Sequence, residues 1–422
     1  MKEPPKIIIS IQSKMMQKIK SKKDIQIING NQAAALAVKL CRVQVISAYP
    51  VTPQSPLSEE LSRFVESGEM TTEYIAVESE HSALTVLNAA SLVGARTFTA
   101  TGSHGLAYMH ELLHWTSGAR LPVVMACVNR AIGAPWCIPS DEQDSVSQRD
   151  TGWVQIYTRN NQEILDTIIQ AYKVAESMYV PVMVCFDGFV LSHTNMPVEI
   201  PRQADVDGFL PHYKPHTIID PATPRIYNSV TLPDPRFEIP DIPHRGYMEL
   251  RQLLHEALEN AKQKIEDVDK EFAQVFGRSY GGMVWEYCLD DAEIALVTMG
   301  SLSMEVTVAV DNLRAQGYKV GMLSVRVFRP FPRKEVIKLL KKVNLAVVFE
   351  KNISYGYEGA VCSELKASLY DSDAKARVFG CIVGLGGRDV KARELQGVIK
   401  KAASVKRYKR TQEDGPQWIS YL

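Results

Sequence analysis

The chain has 422 residues, with 48 Lys and Arg against 48 Asp and Glu, so its formal net charge is zero. That balance excludes a dedicated nucleic-acid binder, which carries a basic excess to neutralise phosphates. With 45% hydrophobic and 23% charged residues, disorder over most of the length is excluded as well, and the length suits about two or three domains, each able to bury its own core.

In chain order, residues 1–24 read as a Lys-rich, solvated arm, whose apolar run over 7–11 is too short and interrupted for a signal-peptide core. No apolar stretch approaches the ~18 to 20 residues that cross a bilayer, so no membrane contact is expected. Residues 25–196 alternate helix-like and strand-like segments, which predicts a parallel sheet covered by helices. Helices are expected over 31–40, after the possible cap Asn29, and over 79–92; buried strands are expected over 43–48, 97–100, 122–128 and 180–186. Ten of the 22 prolines fall between 197 and 243, which argues against a regular helix or central strand there and predicts an extended connector reaching to about residue 245. Apolar residues at 250, 254, 257, 261, 265, 268 and 272 predict a long amphipathic helix over 248–276, within a linking segment 246–284. A smaller α/β unit over 285–400 follows, with strands over 294–299, 319–325, 345–349 and 378–383, helices over 301–316, 333–341 and 356–369, and a basic tail over 401–422.

The seven cysteines (41, 127, 137, 185, 288, 362 and 381) are scattered, with no C-x-x-C, ferredoxin or Cys/His zinc spacing. They exclude an iron–sulfur cluster or zinc site built on spaced cysteines of this chain. They read instead as reduced thiols, which predicts a cytoplasmic protein.

Three places carry candidate chemistry. Tyr49-Pro50-Val51-Thr52-Pro53 follows the strand 43–48, where a parallel sheet receives its ligands, and two prolines make a stiff loop that either presents Thr52 or simply turns the chain. Glu80 stands at the start of the Ala-rich helix, either complementing its dipole or serving as a buried acid for a heterocycle. Arg130 ends the strand Cys127-Val128-Asn129, either solvated or holding a carboxylate through two N–H groups.

These residues occur together with Asn29-Gly30-Asn31, Glu78-Ser79-Glu80-His81-Ser82, Thr99-Ala100-Thr101-Gly102-Ser103-His104-Gly105-Leu106, Asn129-Arg130-Ala131, Arg149-Asp150-Thr151-Gly152-Trp153 and Gly384-Leu385-Gly386-Gly387-Arg388-Asp389. In that order, over about residues 25–395, the chain resembles the alpha subunit of pyruvate:ferredoxin oxidoreductase and its 2-oxoacid relatives. The resemblance implies a thiamin-diphosphate-enzyme pyrimidine-binding domain with a parallel sheet, plus a second, smaller transketolase C-terminal-like α/β domain. It implies that Glu80 hydrogen-bonds N1′ of the thiamin pyrimidine beside Pro50 and Val51. It also implies that Thr52 and Arg130 bind the carboxylate of a 2-oxoacid. Both roles count as catalytic in that family.

The implied activity is that of pyruvate synthase: pyruvate, coenzyme A and oxidised ferredoxin give acetyl-CoA, carbon dioxide and reduced ferredoxin. No Gly-Asp-Gly occurs in the sequence. The diphosphate and Mg²⁺ are therefore expected on a partner subunit, and the iron–sulfur clusters on partners of beta, gamma and delta type. Trp136, Cys137, Pro139 and Gln54 depart from the family pattern near the expected pocket. 2-Oxoisovalerate, oxalate and 2-oxoglutarate thus stay open as substrates, and a non-catalytic scaffold stays open as a role. A dinucleotide-dependent dehydrogenase would need G-x-G-x-x-G where Tyr49-Pro50-Val51-Thr52-Pro53 stands. Gly384-Leu385-Gly386-Gly387 reads as a tight turn with a structural or assembly role, and His110 and His114 lack the Glu of a zinc-binding H-E-x-x-H.

Overall fold

The computed structural model describes residues 24–213, 247–404 and 415–420. The Lys-rich arm before Asp24, the prolines between 215 and 243, and residues 405–414 of the basic tail lie outside the described residues.

The first part runs β1 (Asp24–Ile28), α1 (Gly30–Leu40), β2 (Val45–Ala48), α2 (Ser55–Glu66), β3 (Glu73–Ala76), α3 (Glu80–Leu92), β4 (Thr97–Thr101), α4 (His104–Tyr108), α5 (His110–Gly118), β5 (Val124–Asn129), α6 (Gln143–Val146), β6 (Val154–Tyr157), α7 (Asn161–Met178), β7 (Val182–Asp187), β8 (Met196–Ile200), α8 (Gln203–Phe209) and α9 (Tyr247–Phe276). The second runs β9 (Val284–Tyr287), β10 (Ile294–Thr298), α10 (Leu302–Arg314), β11 (Val320–Val325), β12 (Val327–Arg329), α11 (Arg333–Leu340), β13 (Leu345–Glu350), α12 (Ala360–Leu369), β14 (Arg377–Ile382), α13 (Ala392–Ser404) and β15 (Gln417–Trp418).

Among the described residues, one sheet has the order β12-β6-β7-β5-β4-β2-β3, parallel except for β12, and the other the order β15-β14-β13-β10-β11-β9, parallel except for β9. Strands buried on both faces sort their side chains by the two-residue period. Val124, Ala126 and Val128 of β5, with Val182, Val184 and Phe186 of β7, join a core under α1, α2, α7 and α9. The alternate residues Met125, Cys127, Met183 and Cys185 face the opposite way, into a second core. That core also holds Leu84 and Leu87 of α3, Val297, Leu323 and Val348 of the second sheet, and Leu365 of α12. The two sheets thus share one apolar layer. The second part also supplies β12 to the first sheet, with Val327 opposite Ile156.

Local chemistry explains several elements. Asn29 caps α1 reciprocally: its side chain accepts the Gln32 N–H at 3.0 Å, and the Gln32 side chain accepts the Asn29 N–H at 3.2 Å. Four alanines then let α1 lie buried against its neighbours. In α9 the buried stripe Leu254, Ala257, Ala261, Ile265, Val268 and Phe272 follows the expected helical spacing.

Two expectations need correction. Between 197 and 213 the chain is not an irregular connector: β8 pairs with β1 in a separate two-stranded sheet, whose edge strands tolerate Pro197, and α8 forms in the proline-free stretch between Pro201 and Pro211. The helix expected over 356–369 starts only at Ala360, because Gly356 has φ +82° and Gly359 is still extended.

Topology positions the site. From β2 the chain crosses through α2 to β3 on one side, whereas from β4 it crosses to β5 on the other. β2 and β4 are neighbours, and α2 packs into the first core while α5 packs into the second. The carboxyl ends of β2 and β4 therefore flank a crevice at a topological switch point, the usual ligand position in an open α/β sheet.

Candidate active site

The loop after β2 is held from several sides. Asn31, fully buried in α1, donates to the Pro53 carbonyl at 3.0 Å. Gln54 donates to the Tyr49 carbonyl at 2.8 Å and accepts the Ser58 hydroxyl at 2.6 Å. Gln54 is 0% exposed, so this departure from the family pattern braces the loop and does not line the pocket. Pro50 and Thr52 remain exposed, and Val51 is half-buried.

Arg130 follows β5 and is only 4% exposed. Its Nη1 donates to the Thr52 carbonyl at 3.0 Å and its Nε to the Cys137 carbonyl at 3.3 Å. Its Nη2 is buried with no hydrogen-bond partner. The guanidinium is thus fixed by two of its nitrogens and has one donor group to spare. The structure brings Thr52 and Arg130 together through the Thr52 backbone, and no hydrogen bond among the described residues engages the Thr52 hydroxyl.

Glu80 is the first residue of α3, after the cap Ser79, whose hydroxyl accepts the Ser82 N–H at 3.1 Å. The Glu80 side chain is 8% exposed and has no hydrogen-bond partner among the described residues. Its carboxylate rests where a Cβ at Gly105 would be, beside the Thr101 hydroxyl. The Thr101 hydroxyl is itself buried without a partner. Among the described residues no hydrogen bond joins Glu80 directly to Thr52 or Arg130.

Asp144 ties the two halves together, a role the sequence did not single out. One carboxylate oxygen accepts the backbone N–H groups of Ser103 at 2.7 Å and Arg130 at 3.0 Å. The other accepts the Asn129 amide at 2.7 Å and the Ser145 N–H at 2.8 Å. Burial pushes its carboxyl up to about 6, opposed by those hydrogen bonds. Ser103, held there at φ +56°, donates its hydroxyl to the Ala131 carbonyl at 2.6 Å, so the start of α4 and the end of β5 are positioned as one piece.

A layer below, Lys351 from the end of β13 pairs with Asp187 at the end of β7. Ser140 donates to Asp187 at 2.8 Å, and the Ser301 hydroxyl donates to its other oxygen. Burial alone would raise the Asp187 carboxyl; the Lys351 ammonium and these hydrogen bonds instead hold it below the usual carboxylate range. Neighbouring Glu142 is 2% exposed with neither carboxyl oxygen partnered, and burial raises its pKa well above the usual carboxylate range, opposed by the Lys351 ammonium. Gly386, at φ +58°, and Gly387, at φ +73°, press against Cys137 and Pro139, and the Gly387 N–H reaches the Ser140 carbonyl at 2.7 Å. The glycine cluster is a tight turn joining the two parts. His110 and His114 are exposed and stacked edge to face, and no group of metal-holding side chains occurs among the described residues.

Residues 36–270 match the family model "Pyruvate flavodoxin/ferredoxin oxidoreductase, thiamine diP-bdg", and residues 292–395 match "Pyruvate:ferredoxin oxidoreductase core domain II". Pyruvate synthase subunit PorA of Methanocaldococcus jannaschii is 46% identical over 401 residues, 94% of this chain and 98% of that protein. Ketoisovalerate oxidoreductase subunit VorA of Pyrococcus abyssi is 45% identical over 381 residues, 90% of this chain and 94% of that protein. The 2-oxoglutarate:ferredoxin oxidoreductase from Magnetococcus marinus superimposes with a TM-score of 0.68 at 19% identity, covering 90% of this chain and 65% of that one. A split-gene transketolase superimposes at 0.52 and 13% identity, covering 90% and 100%. These two structures speak to the fold alone.

Proposed function

The chain belongs to the pyruvate flavodoxin/ferredoxin oxidoreductase family, and from that premise we propose that it is the alpha subunit of a heteromeric pyruvate synthase. The assembly converts pyruvate, coenzyme A and oxidised ferredoxin to acetyl-CoA, carbon dioxide and reduced ferredoxin. The observation that carries this reading is the buried Arg130 guanidinium with Nη2 unpartnered, locked to the Thr52 loop at a strand-end crevice. A 2-oxoacid carboxylate is the planar acceptor that such a donor lacks.

The thiamine diphosphate-binding part of the family lies in residues 36–270, and the side chains there suit the pyrimidine half of that cofactor. Glu80 offers a nearly buried carboxyl group without a protein partner, and the glycine at 105 leaves it room. When bound, thiamin diphosphate supplies the carbon nucleophile for the 2-oxo carbon and the electron sink for loss of carbon dioxide. Glu80 would hydrogen-bond N1′, Pro50 and Val51 would stand beside the pyrimidine, and Thr52 and Arg130 would orient the substrate carboxylate. Tight pairing of that carboxylate stabilises the ground state too, so Arg130 acts mainly in positioning.

The diphosphate, Mg²⁺ and the iron–sulfur clusters belong to partner subunits of beta, gamma and delta type, with ferredoxin as electron acceptor. In the same reading, residues 25–196 are the pyrimidine-binding domain and 285–400 the transketolase C-terminal-like one. Among the described residues no helix is long and apolar enough to cross a membrane, which suits a cytoplasmic complex. The test is coenzyme A-dependent pyruvate oxidation by the purified complex carrying Glu80→Ala; near wild-type rates would remove the cofactor role and favour a scaffold.

A second substrate has its own support. Relatives named for ketoisovalerate match as well as those named for pyruvate synthase, at 45% and 46% identity. Comparing kcat/KM for pyruvate, 2-oxoisovalerate, oxalate and 2-oxoglutarate decides among them.

A further inference from the structure

Arg130 is inaccessible in an unusual way. Its Nη2 is buried and has no acceptor, yet the ring stacked over the guanidinium, Trp136, is 71% exposed, with its centroid 4.8 Å from Cζ. The indole thus contacts the guanidinium while most of its own surface faces solvent. Its other neighbour is His104, stacked at 5.2 Å and 9°. The His104 ring is pinned in turn by the Gly133 N–H at 3.1 Å from Nε2. The loop that carries Trp136 is closed at its base by the Ala131 N–H on the Pro139 carbonyl at 3.1 Å, and is tethered to the second part by Cys137 on the Gly386 carbonyl at 3.5 Å.

A guanidinium N–H buried without an acceptor is costly, and a π face compensates for it only in part. A carboxylate satisfies it fully and with better geometry. By moving, the indole gives up its contacts with His104 and the guanidinium and little else, since most of its surface already faces water. It lies against a guanidinium whose Nη1 and Nε are already held, by the Thr52 and Cys137 carbonyls, so that only Nη2 is left for a ligand.

We propose that Trp136 is a displaceable cover on Arg130: its indole occupies the approach to Nη2 in the ligand-free protein and is exchanged for the substrate carboxylate on binding. The inference rests on the carboxylate role of Arg130 given above. The covered form does not bind, so the apparent affinity of any 2-oxoacid is reduced by the fraction of molecules that are covered. Trp136 is thus a gating residue acting through Arg130 and does not itself touch the reacting atoms.

The experiment uses the assembled complex and oxamate, an unreactive carboxylate–amide mimic of pyruvate, with binding read by titration calorimetry and by tryptophan emission. Trp136→Ala is expected to bind oxamate about three- to tenfold more tightly, the inverse of the uncovered fraction that a cation–π contact leaves. A loop-packing role would instead weaken binding. In the wild type oxamate should change the emission, and in Trp136→Phe that change should be absent. On an Arg130→Ala background, Trp136→Ala should have no effect on affinity. Unchanged or weaker binding by Trp136→Ala, with Arg130→Ala still weakening it, overturns the cover alone. An Arg130→Ala complex that binds oxamate like the wild type overturns the carboxylate reading beneath it. Trp136→Leu, which keeps an apolar side chain on the loop, repeats the affinity test should the alanine variant assemble poorly.

Discussion

Lys351 and Asp187, 164 residues apart, form a buried ion pair between the carboxyl end of β13 and that of β7. The pair joins the two sheets, and its serine donors, Ser140 and Ser301, come one from each part. Removing one member leaves a buried charge uncompensated. Lys351→Ala should therefore destabilise the fold by about 3 to 5 kcal/mol, whereas Asp187→Asn with Lys351→Met should lose markedly less. Denaturant midpoints of the two variants check this; equal losses would mean that the pair contributes little.

Asp144 serves four donors, and an amide in its place can accept through only one atom. Asp144→Asn would leave buried N–H groups of Ser103 or Arg130 unsatisfied, at roughly 1 to 3 kcal/mol each. The expected outcome is a loss of about 10- to 100-fold in kcat/KM for the 2-oxoacid. Secondary structure by circular dichroism should be retained, because the defect is confined to the strand ends.

The two residues proposed to bind the substrate carboxylate should divide by the strength of their contact. Arg130→Ala removes a charge-assisted donor and should raise KM about 10- to 100-fold, while Thr52→Ala, which loses a neutral hydroxyl, should raise it only several-fold. Arg130→Lys should recover little, since an ammonium cannot hold the Thr52 and Cys137 carbonyls and still present a planar pair to a carboxylate. A fall in kcat with unchanged KM for Arg130→Ala would contradict the positioning role.

Glu350 gives the stability a pH dependence of definite sign. Buried at the start of α12, it accepts the Val361 and Cys362 N–H groups at 2.8 and 3.2 Å, and burial pushes it up from 4.5 to about 8. With the folded value above the unfolded one, its contribution is fully present below about pH 4.5 and is lost as pH rises through 8. Melting temperature should therefore decline between pH 5 and 8, and Glu350→Gln should make the decline shallower. An identical slope in the variant would remove Glu350 as a cause.

The strand ends were legible because punctuation marks them: two prolines after β2, and an arginine after the apolar run of β5. What escaped is pairing at long range. The helix α7 is buried nearly all round although it carries Glu163, Asp166 and Thr167, and polar residues in a helix normally signal a solvent face. Arg326, 163 residues away, neutralises Glu163 at 2.9 Å, and Arg278 takes both oxygens of Asp166 at 2.6 and 2.9 Å. Arg159, four residues before Glu163, is a local partner at 2.7 Å, but Arg326 and Arg278, which complete the pairing that makes burial possible, lie in no local window. Strand β12 was missed for the same reason, since three residues of the second part complete a sheet of the first. Asp144 lay in a stretch noted for its departures, but nothing in its spacing reveals four donors converging on it.

Gly105 offers the sharpest separation between stability and function. A Cβ at this position would collide with Glu80 Oε1 and Thr101 Oγ1, atoms at or near the ends of side chains and not backbone. Glu80 can swing away at small cost, because no hydrogen bond among the described residues holds its carboxylate. Gly105→Ala should thus lower the melting temperature by no more than a few degrees, since alanine's helix preference offsets part of the strain against Thr101, a fully buried side chain with one torsion to yield. It should nonetheless move the carboxylate from its place and reproduce Glu80→Ala, with activity down by about 100-fold or more and weaker retention of thiamin diphosphate. Glu80→Gln, which keeps the shape and removes the ionisable proton, should retain the cofactor better than either variant while remaining slow. Measuring cofactor retention beside turnover in the three complexes separates loss of space from loss of the acid; a fully active Gly105→Ala complex would refute the placement of the Glu80 carboxyl at N1′.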